Sequence, residues 1–195
     1  MLTLPFQTGR RRAYIEHYAF PIALRAKLRE KFDDGRQVQI ALEGLREWYL
    51  ACLAARGEML GMPSRAVDIA WHEMILMTRE YHHFCHRAFG RYLHHTPDSA
   101  MDEPMSSSLA RTLAIAESQS LTVAGVPLLF AVDKELELED GLLWQADDIE
   151  RIRSRQDAPQ NLLGGAAWHS TVWGGCAGGG GGGGGCGGGG CGGGG

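Results

Sequence analysis

The sequence predicts an all-α fold, a small bundle of about five or six helices followed by a disordered Gly/Cys-rich tail. Apolar residues recur at three- and four-residue steps in several segments, and no sustained alternation indicates a sheet. Glycine is concentrated at one end, since 18 of the 28 glycines lie in residues 174–195. Because glycine has no side chain to bury and is costly to order, we expect a helical domain over residues 1–160 and a flexible tail over residues 161–195.

The first half of the chain contains the clearest helical patterns. The mixed composition of residues 1–20 predicts mostly irregular structure, whereas Pro21 can occupy the first turn of a helix that runs to about Phe32. The strongest apolar stripe lies in Gln37–Ala55 and predicts a long helix packed in the core. Ser64 is a suitable N-cap for a third helix with its own apolar face.

The second half is predicted to be helical with more frequent breaks. The helical pattern either continues from the third helix or resumes over Tyr81–Tyr92, and Met105–Ser118 has the same periodicity. Residues 121–132 fit either a strand or a helix, with a break favoured near Pro127 and a helix after it. A short charged helix is expected over Trp144–Arg155.

Charge and hydropathy exclude several classes of protein. The formal net charge is −4 and the pI is about 6.0, which is not typical of a general nucleic-acid binder. No window approaches the ~18 apolar residues of a membrane helix, and the N-terminus does not have the pattern of a signal peptide. We therefore expect a cytoplasmic protein, in which the five cysteines are thiols or metal ligands rather than a disulfide framework.

Histidine is concentrated in one helical stretch, with six of the eight histidines in residues 71–97. His82 and His86 are four residues apart and would share a helix face, so they could bind one metal ion. Asp68 and His72 have the same spacing, so the carboxylate could accept from one ring nitrogen and leave the other for a metal. For His72 the alternatives are a core histidine or an acid–base catalyst, and for His82 and His86 simple exposure to solvent.

The tail contains three cysteines, Cys176, Cys186 and Cys191, which are ten and five residues apart. Structural zinc sites usually pair cysteines about two to four residues apart, so this spacing is not that of a zinc finger. Polyglycine could still bring three thiolates together on a soft ion at an entropic cost. The alternatives are a disordered tail whose thiols do little, redox cross-linking to a partner, and modification by an enzyme.

The histidine-rich stretch also contains a recognisable motif, in which an Asp, a Trp-His pair, a Tyr, a Cys and a closing His precede a Pro. Its residues are Asp68, Trp71, His72, Tyr81, Cys85, His94 and His95. On this motif the chain resembles the glycine-rich domain-containing protein-like family over roughly Ile40–Pro97, and the glycine-rich end agrees. Met74 stands where that family commonly has a second His. The resemblance implies the architecture and no established activity.

Two classes of function fit these patterns. The lack of a catalytic signature beside a charge-free Gly/Cys tail favours a non-enzymatic adaptor. Its helical domain would dock a protein partner, and its tail would be a tether, a thiol ligand or a modification target. The alternative is a zinc- or copper-binding protein, with hydrolysis as one use of the metal. Its candidate ligands are His72, His82, His86, Cys176, Cys186 and Cys191.

Overall fold

The computed structural model describes residues 5–96, 104–119, 122–156 and 175–177, and it confirms the predicted all-α class. The helices are α1 (Pro5–Glu16), α2 (Ile22–Leu28), α3 (Gly35–Ala54), α4 (Arg65–Leu76), α5 (Thr78–Phe89), α6 (Met105–Gln119), α7 (Leu128–Glu135) and α8 (Ala146–Gln156). The strands are β1 (Leu60–Gly61), β2 (His94–Thr96), β3 (Thr122–Val123), β4 (Val126–Pro127) and β5 (Gly175–Ala177). Within these described ranges, no helix combines the length and apolar character needed to cross a membrane.

The central element is α3, which contacts α1, α4, α6 and α7. Gly44 permits a close approach, because a Cβ at this position would lie 2.6 Å from the side chain of Val67 on α4 and 2.8 Å from that of Val132 on α7. Farther along α3, the indole of Trp48 packs on that of Trp71, with ring centroids 5.6 Å apart. These contacts hold α4 against the centre of the core.

The N-terminus of α4 is held by its own cap and by a carboxylate from α7. As predicted, the Ser64 hydroxyl accepts from the backbone N–H of Val67 at 3.2 Å, and it donates to Asp133 Oδ1 at 2.6 Å. The buried Asp133 carboxylate also accepts from three backbone N–H groups at 2.8–3.0 Å. Those groups belong to Arg65, Ala66 and Leu142. Two of them are first-turn donors with no partner inside the helix, so the carboxylate determines where α4 begins.

The prediction of irregular structure over residues 1–20 is wrong, because α1 occupies much of this segment. Ile15 is buried in the core, and α1 contacts both α3 and α5. The guanidinium of Arg46 on α3 donates to the carbonyls of Ile15 and Tyr18 at the end of α1. Tertiary contacts of this kind, which a local pattern does not contain, stabilise a helix with a weak apolar stripe.

The described part contains eight helices rather than five or six. One reason is α1, and another is a break at Met77, whose backbone (φ −80°, ψ 59°) separates α4 from α5. The described part of the ambiguous segment, residues 122–132, contains both structures, since a β3–β4 hairpin with a left-handed turn at Gly125 leads directly into α7. The helix predicted from Pro21 ends earlier than expected, at Leu28.

A small antiparallel sheet joins distant parts of the chain in the order β1–β5–β2. Its central strand is β5, which belongs to the glycine-rich tail. In this sheet Cys176 is the register partner of Leu60 on one side and of His95 on the other. This strand differs from the disordered tail that the sequence predicts, because its backbone is paired along both edges. The rest of residues 161–195 lies outside the described part.

Candidate metal centre

The candidate site is built on Asp68, in the first turn of α4, whose side chain is only 3 % exposed. A buried carboxylate is costly unless it is hydrogen-bonded or paired with charge. Two imidazoles provide this compensation. His95 Nε2 lies 3.0 Å from Asp68 Oδ1, and His72 Nδ1 lies 3.2 Å from Oδ2. The centroids of the two imidazole rings are 4.3 Å apart, so three potential metal ligands lie side by side.

His72 lies one turn after Asp68 on α4, and the contact predicted from their spacing is present. Its Nδ1 is also 2.8 Å from the carbonyl oxygen of Asp68. Because a carbonyl oxygen only accepts, Nδ1 carries the hydrogen, and the lone pair of the neutral ring is on Nε2. The His72 side chain is 45 % exposed, so solutes reach this member of the site from solvent.

His95 is brought to α4 by a series of buried hydrogen bonds. Trp71 Nε1 donates to the Tyr81 hydroxyl at 2.9 Å, and that hydroxyl donates to the carbonyl of Leu93 at 2.7 Å. Leu93 lies just before β2, so the bonds fix the start of the strand that contains His95. The His95 ring packs on the indole of Trp71 with centroids 4.6 Å apart. The aromatic residues of the motif are core residues, and they also position the second imidazole.

The turn between α5 and β2 depends on Gly90, which caps α5 in the left-handed conformation at φ 73°. Cys85, about one turn earlier on α5, is buried and interacts with the backbone of Leu93 and the hydroxyl of Tyr81. Burial raises the pKa of the Cys85 thiol, so it is a poor thiolate ligand or nucleophile at neutral pH. Its role in the motif is to hold the segment before β2 against α5.

The three groups of the site influence one another electrostatically. Burial by itself raises the pKa of Asp68, but the hydrogen bonds from His72 and His95 and their positive charge outweigh it, so the net pKa of Asp68 is below its usual value. The hydrogen bond to Asp68 raises the pKa of His72, and partial burial opposes this change. The carboxylate is therefore ionised at neutral pH, as a metal ligand must be.

The geometry suits a single metal ion. Asp68, His72 and His95 each offer one ligand atom, and these three atoms lie within 4.8 Å of one another. Zinc binds such atoms at about 2.0–2.2 Å, so small side-chain rotations bring the three ligands to one ion. Within the described ranges, these residues form the group of at least three His, Cys, Asp or Glu side chains whose ligand atoms are close enough to hold one metal ion. Metal binding would require the ring nitrogen of each histidine that faces the ion to be free of hydrogen.

Other residues predicted as ligands lie elsewhere. His82 and His86 are on the exposed face of α5 and do not belong to the three-residue group. The reason is packing, since Tyr81, Phe84 and Cys85 turn the opposite face of α5 into the core. Binding of one ion by His82 and His86 alone remains a prediction.

The remaining motif and tail residues also differ in their placement. His94 is exposed, although it precedes His95 directly. Met74, where the resembling family commonly has a second His, is fully buried in the core, and the second imidazole of the site comes from β2 instead. Tyr92 is 37 % exposed. Among the predicted tail ligands, Cys176 lies in β5, whereas the cysteines at 186 and 191 lie outside the described residues.

His95 belongs to the motif but is not among the ligands predicted from the sequence. No local spacing joins it to Asp68, because the two residues are 27 positions apart and lie on different elements. The available signal was the motif itself, in which a Trp, a Tyr and a closing His recur in order. The hydrogen bonds from Trp71 through Tyr81 explain why those residues belong together.

Comparison with known proteins places the chain in a family. The model of the UCP032817-like family matches residues 10–164, which include all the helices from α2 to α8 and the whole candidate site. The chain belongs to the UCP032817-like family. This family is uncharacterised, so membership assigns neither activity nor ligand. No curated protein and no solved structure matches the chain significantly.

Proposed function

We propose that this member of the UCP032817-like family is a metal-binding protein that holds one divalent transition-metal ion with Asp68, His72 and His95. The observation that carries the proposal is the convergence of one buried carboxylate and two imidazoles within 4.8 Å. Each ligand is supported by a structured element, since two lie one turn apart on α4 and the third is held by the bonds from Trp71 and Tyr81.

The donor set indicates which ions would bind. Imidazole suits zinc, copper, iron and nickel, whereas a site made only of oxygen atoms would suit magnesium or calcium. Zinc accepts a mixed set of nitrogen and oxygen ligands and prefers four in total. Three protein ligands leave one position, and the occupant of that position decides the chemistry. Water there would make the ion hydrolytic, whereas a fourth protein ligand would make it structural.

The proposal is tested by zinc titration of protein purified without a histidine tag and stripped of metal. We expect a single zinc ion per chain, and we expect His72→Gln to weaken zinc binding by at least about tenfold. His72 is half-exposed, so this variant should fold normally. The matched control is the double variant His82→Gln and His86→Gln, which removes two exposed imidazoles from α5. Absence of zinc binding in the wild type, or equal losses in the variant and the control, would refute the proposal.

The adaptor function predicted from the sequence is a second candidate, because α2 and α4 contact each other and each leaves an apolar side chain in solvent. These side chains are Ile22, which is 86 % exposed, and Leu76, which is 72 % exposed. A specific protein partner should be lost in the double variant Ile22→Asp and Leu76→Asp and retained in Leu143→Asp, a change at another exposed leucine. Partners that survive both changes would contradict docking at these residues.

Two further parts of the proposal rest on sequence. The order of motif residues from Asp68 to His95 supports a relation to the glycine-rich domain-containing protein-like family. A cytoplasmic location is also proposed, and there the thiols would stay reduced and able to bind metal.

A further inference from the structure

The packing of α1 against α5 brings two arginines to one seam on the surface of the domain. Tyr14 of α1 contacts Phe84 of α5 with ring centroids 6.0 Å apart, and the guanidinium carbon of Arg87 lies 4.9 Å from the centroid of the Tyr14 ring. Arg11 is one turn before Tyr14, and its guanidinium lies against Gly90, where a Cβ would collide with it. Because three residues of a helix rise about 4.5 Å, the two arginines occupy neighbouring turns of the seam.

Neither arginine of this pair has a carboxylate partner in the described part of the chain. The contrast with Arg12 is direct, since this neighbour of Arg11 is paired with Glu16 at 2.8 Å. The acidic residue of α5 is Glu80, which precedes Arg87 by seven residues, or about 10 Å along the helix. The charges of Arg11 and Arg87 are therefore not neutralised by a neighbouring side chain of these helices.

The positive charge at the seam is larger than the opposing charge of the helix end. The carbonyls at the C-terminus of α5, which Gly90 caps, carry about half a negative elementary charge. Arg11 and Arg87 contribute two positive charges, and Arg91, directly after Gly90, contributes a third. The seam is therefore a concentrated positive site on a chain whose formal net charge is −4, and the solutes that it attracts are anions.

We propose that Arg11 and Arg87 bind a single phosphate monoester group. A guanidinium that stacks on an aromatic ring, as Arg87 does on Tyr14, keeps the N–H donors at its edge free, and its planar fork matches two oxygens of a phosphate. A phosphate monoester carries a charge of about −1.5 to −2 and three acceptor oxygens, so it can pair with two guanidinium groups at once. Binding makes ion pairs and hydrogen bonds only, and it does not depend on the proposed metal ion.

Other anions fit this pair less well. A carboxylate has one charge and two oxygens, so it would leave one guanidinium without a counter-charge. Proteins that follow a nucleic-acid backbone make about 6–10 phosphate contacts, whereas the described seam offers Arg11, Arg87 and Arg91. Association with a membrane surface needs apolar side chains beside the cations, and the most exposed ones in the described part, Ile22 and Leu76, belong to α2 and α4.

The test is isothermal titration calorimetry of the full, tag-free chain with a short phosphoserine peptide, the same peptide without phosphate, and inorganic phosphate. We expect the phosphorylated peptide to bind at least about tenfold more tightly than the unphosphorylated one, and Arg87→Gln to weaken its binding by at least about tenfold. Arg87 is exposed, so this variant should fold normally. Arg87→Lys should recover only part of the affinity, because lysine keeps the charge but has no planar fork.

The matched control is Arg79→Gln, which removes an exposed arginine from the other end of α5 and should bind the phosphorylated peptide as the wild type does. Inorganic phosphate should also bind, with the same dependence on Arg87. Tighter binding of the peptide than of the free ion would identify a phosphorylated protein as the source of the group, and the reverse order would identify a small phosphate. Either order supports the site.

Four outcomes would overturn the proposal. They are equal binding of the two peptides, absence of phosphate binding in the wild type, equal losses in Arg87→Gln and Arg79→Gln, and binding to phosphatidylserine vesicles when neither phosphate probe binds. Because phosphate can also coordinate a metal ion, the titration is repeated after the protein is stripped of metal. Affinity should not change, and a loss of binding on stripping would assign the phosphate to a metal ion instead of the arginines.

Discussion

Two buried carboxylates lie at the N-terminal end of helix α4, and they form hydrogen bonds with different kinds of partner. Asp133, from α7, accepts four hydrogen bonds, three from backbone N–H groups and one from the Ser64 hydroxyl. Asp68, within α4 itself, pairs with the imidazoles of His72 and His95. Both side chains are almost completely excluded from solvent, so burial alone does not distinguish them.

The two carboxylates differ in whether the groups hydrogen-bonded to them can change their protonation or bind a metal. A backbone N–H group is always a donor, so the three backbone donors around Asp133 require an acceptor in every folded molecule. An imidazole can lose its hydrogen, move it to the other ring nitrogen or bind a metal. The Asp133 group therefore serves to hold helices together, whereas the Asp68 group can exchange protons for an ion without leaving a backbone N–H group unpaired.

The largest expected effect is that of Asp133→Asn. The new amide group would place N–H hydrogens against backbone N–H donors and leave buried groups unsatisfied, at a cost of about 3 kcal/mol in the free energy of unfolding. Chemical denaturation would measure this change. Asp140→Asn is the control, because the carboxylate of Asp140 is largely exposed beside Arg65 and should contribute below about 1 kcal/mol. Similar stabilities for the two variants would remove the structural role of Asp133.

An intermediate effect is expected from Tyr81→Phe, which removes the hydroxyl between Trp71 and Leu93. Two buried polar groups would lose their partner, which should lower the free energy of unfolding by about 2 kcal/mol. Because the same bonds position His95, zinc affinity should also decrease by roughly tenfold, although Tyr81 is not a ligand. Tyr92→Phe, at an exposed tyrosine, should leave both quantities unchanged. A destabilised Tyr81→Phe protein with full zinc affinity would show that His95 is positioned by other contacts.

The smallest expected change in stability is that of Asp68→Asn in metal-free protein, about 1 kcal/mol. The side-chain amide can still accept from one ring, and His95 can shift its hydrogen and accept from the amide N–H. Zinc affinity should nevertheless fall by more than about tenfold, because the anionic ligand is lost. Denaturation and zinc titration of the same preparation would show both. A loss of stability as large as that of Asp133→Asn would indicate that the Asp68 group is structural too.

The sequence by itself determined the helical class, the long core helix, the Ser64 cap and the contact between Asp68 and His72. Each depends on residues three or four positions apart on one helix, a distance over which backbone geometry dictates proximity. The apolar stripe of α3 is a local pattern of the same kind. These features needed no knowledge of the rest of the chain.

Only the tertiary structure decided the rest. Helix α1 forms in a segment without a strong pattern because Arg46 donates hydrogen bonds to backbone carbonyls at its end, which packs against the core. His95 lies beside Asp68 because the hydrogen bonds through Tyr81 bring β2 to α4. His82 and His86 lie away from Asp68 because Phe84 packs in the core and leaves the opposite face of α5 exposed. The strand pairing of Cys176 likewise joins residues far apart in the chain. Such contacts depend on how elements pack, which no spacing within a single element encodes.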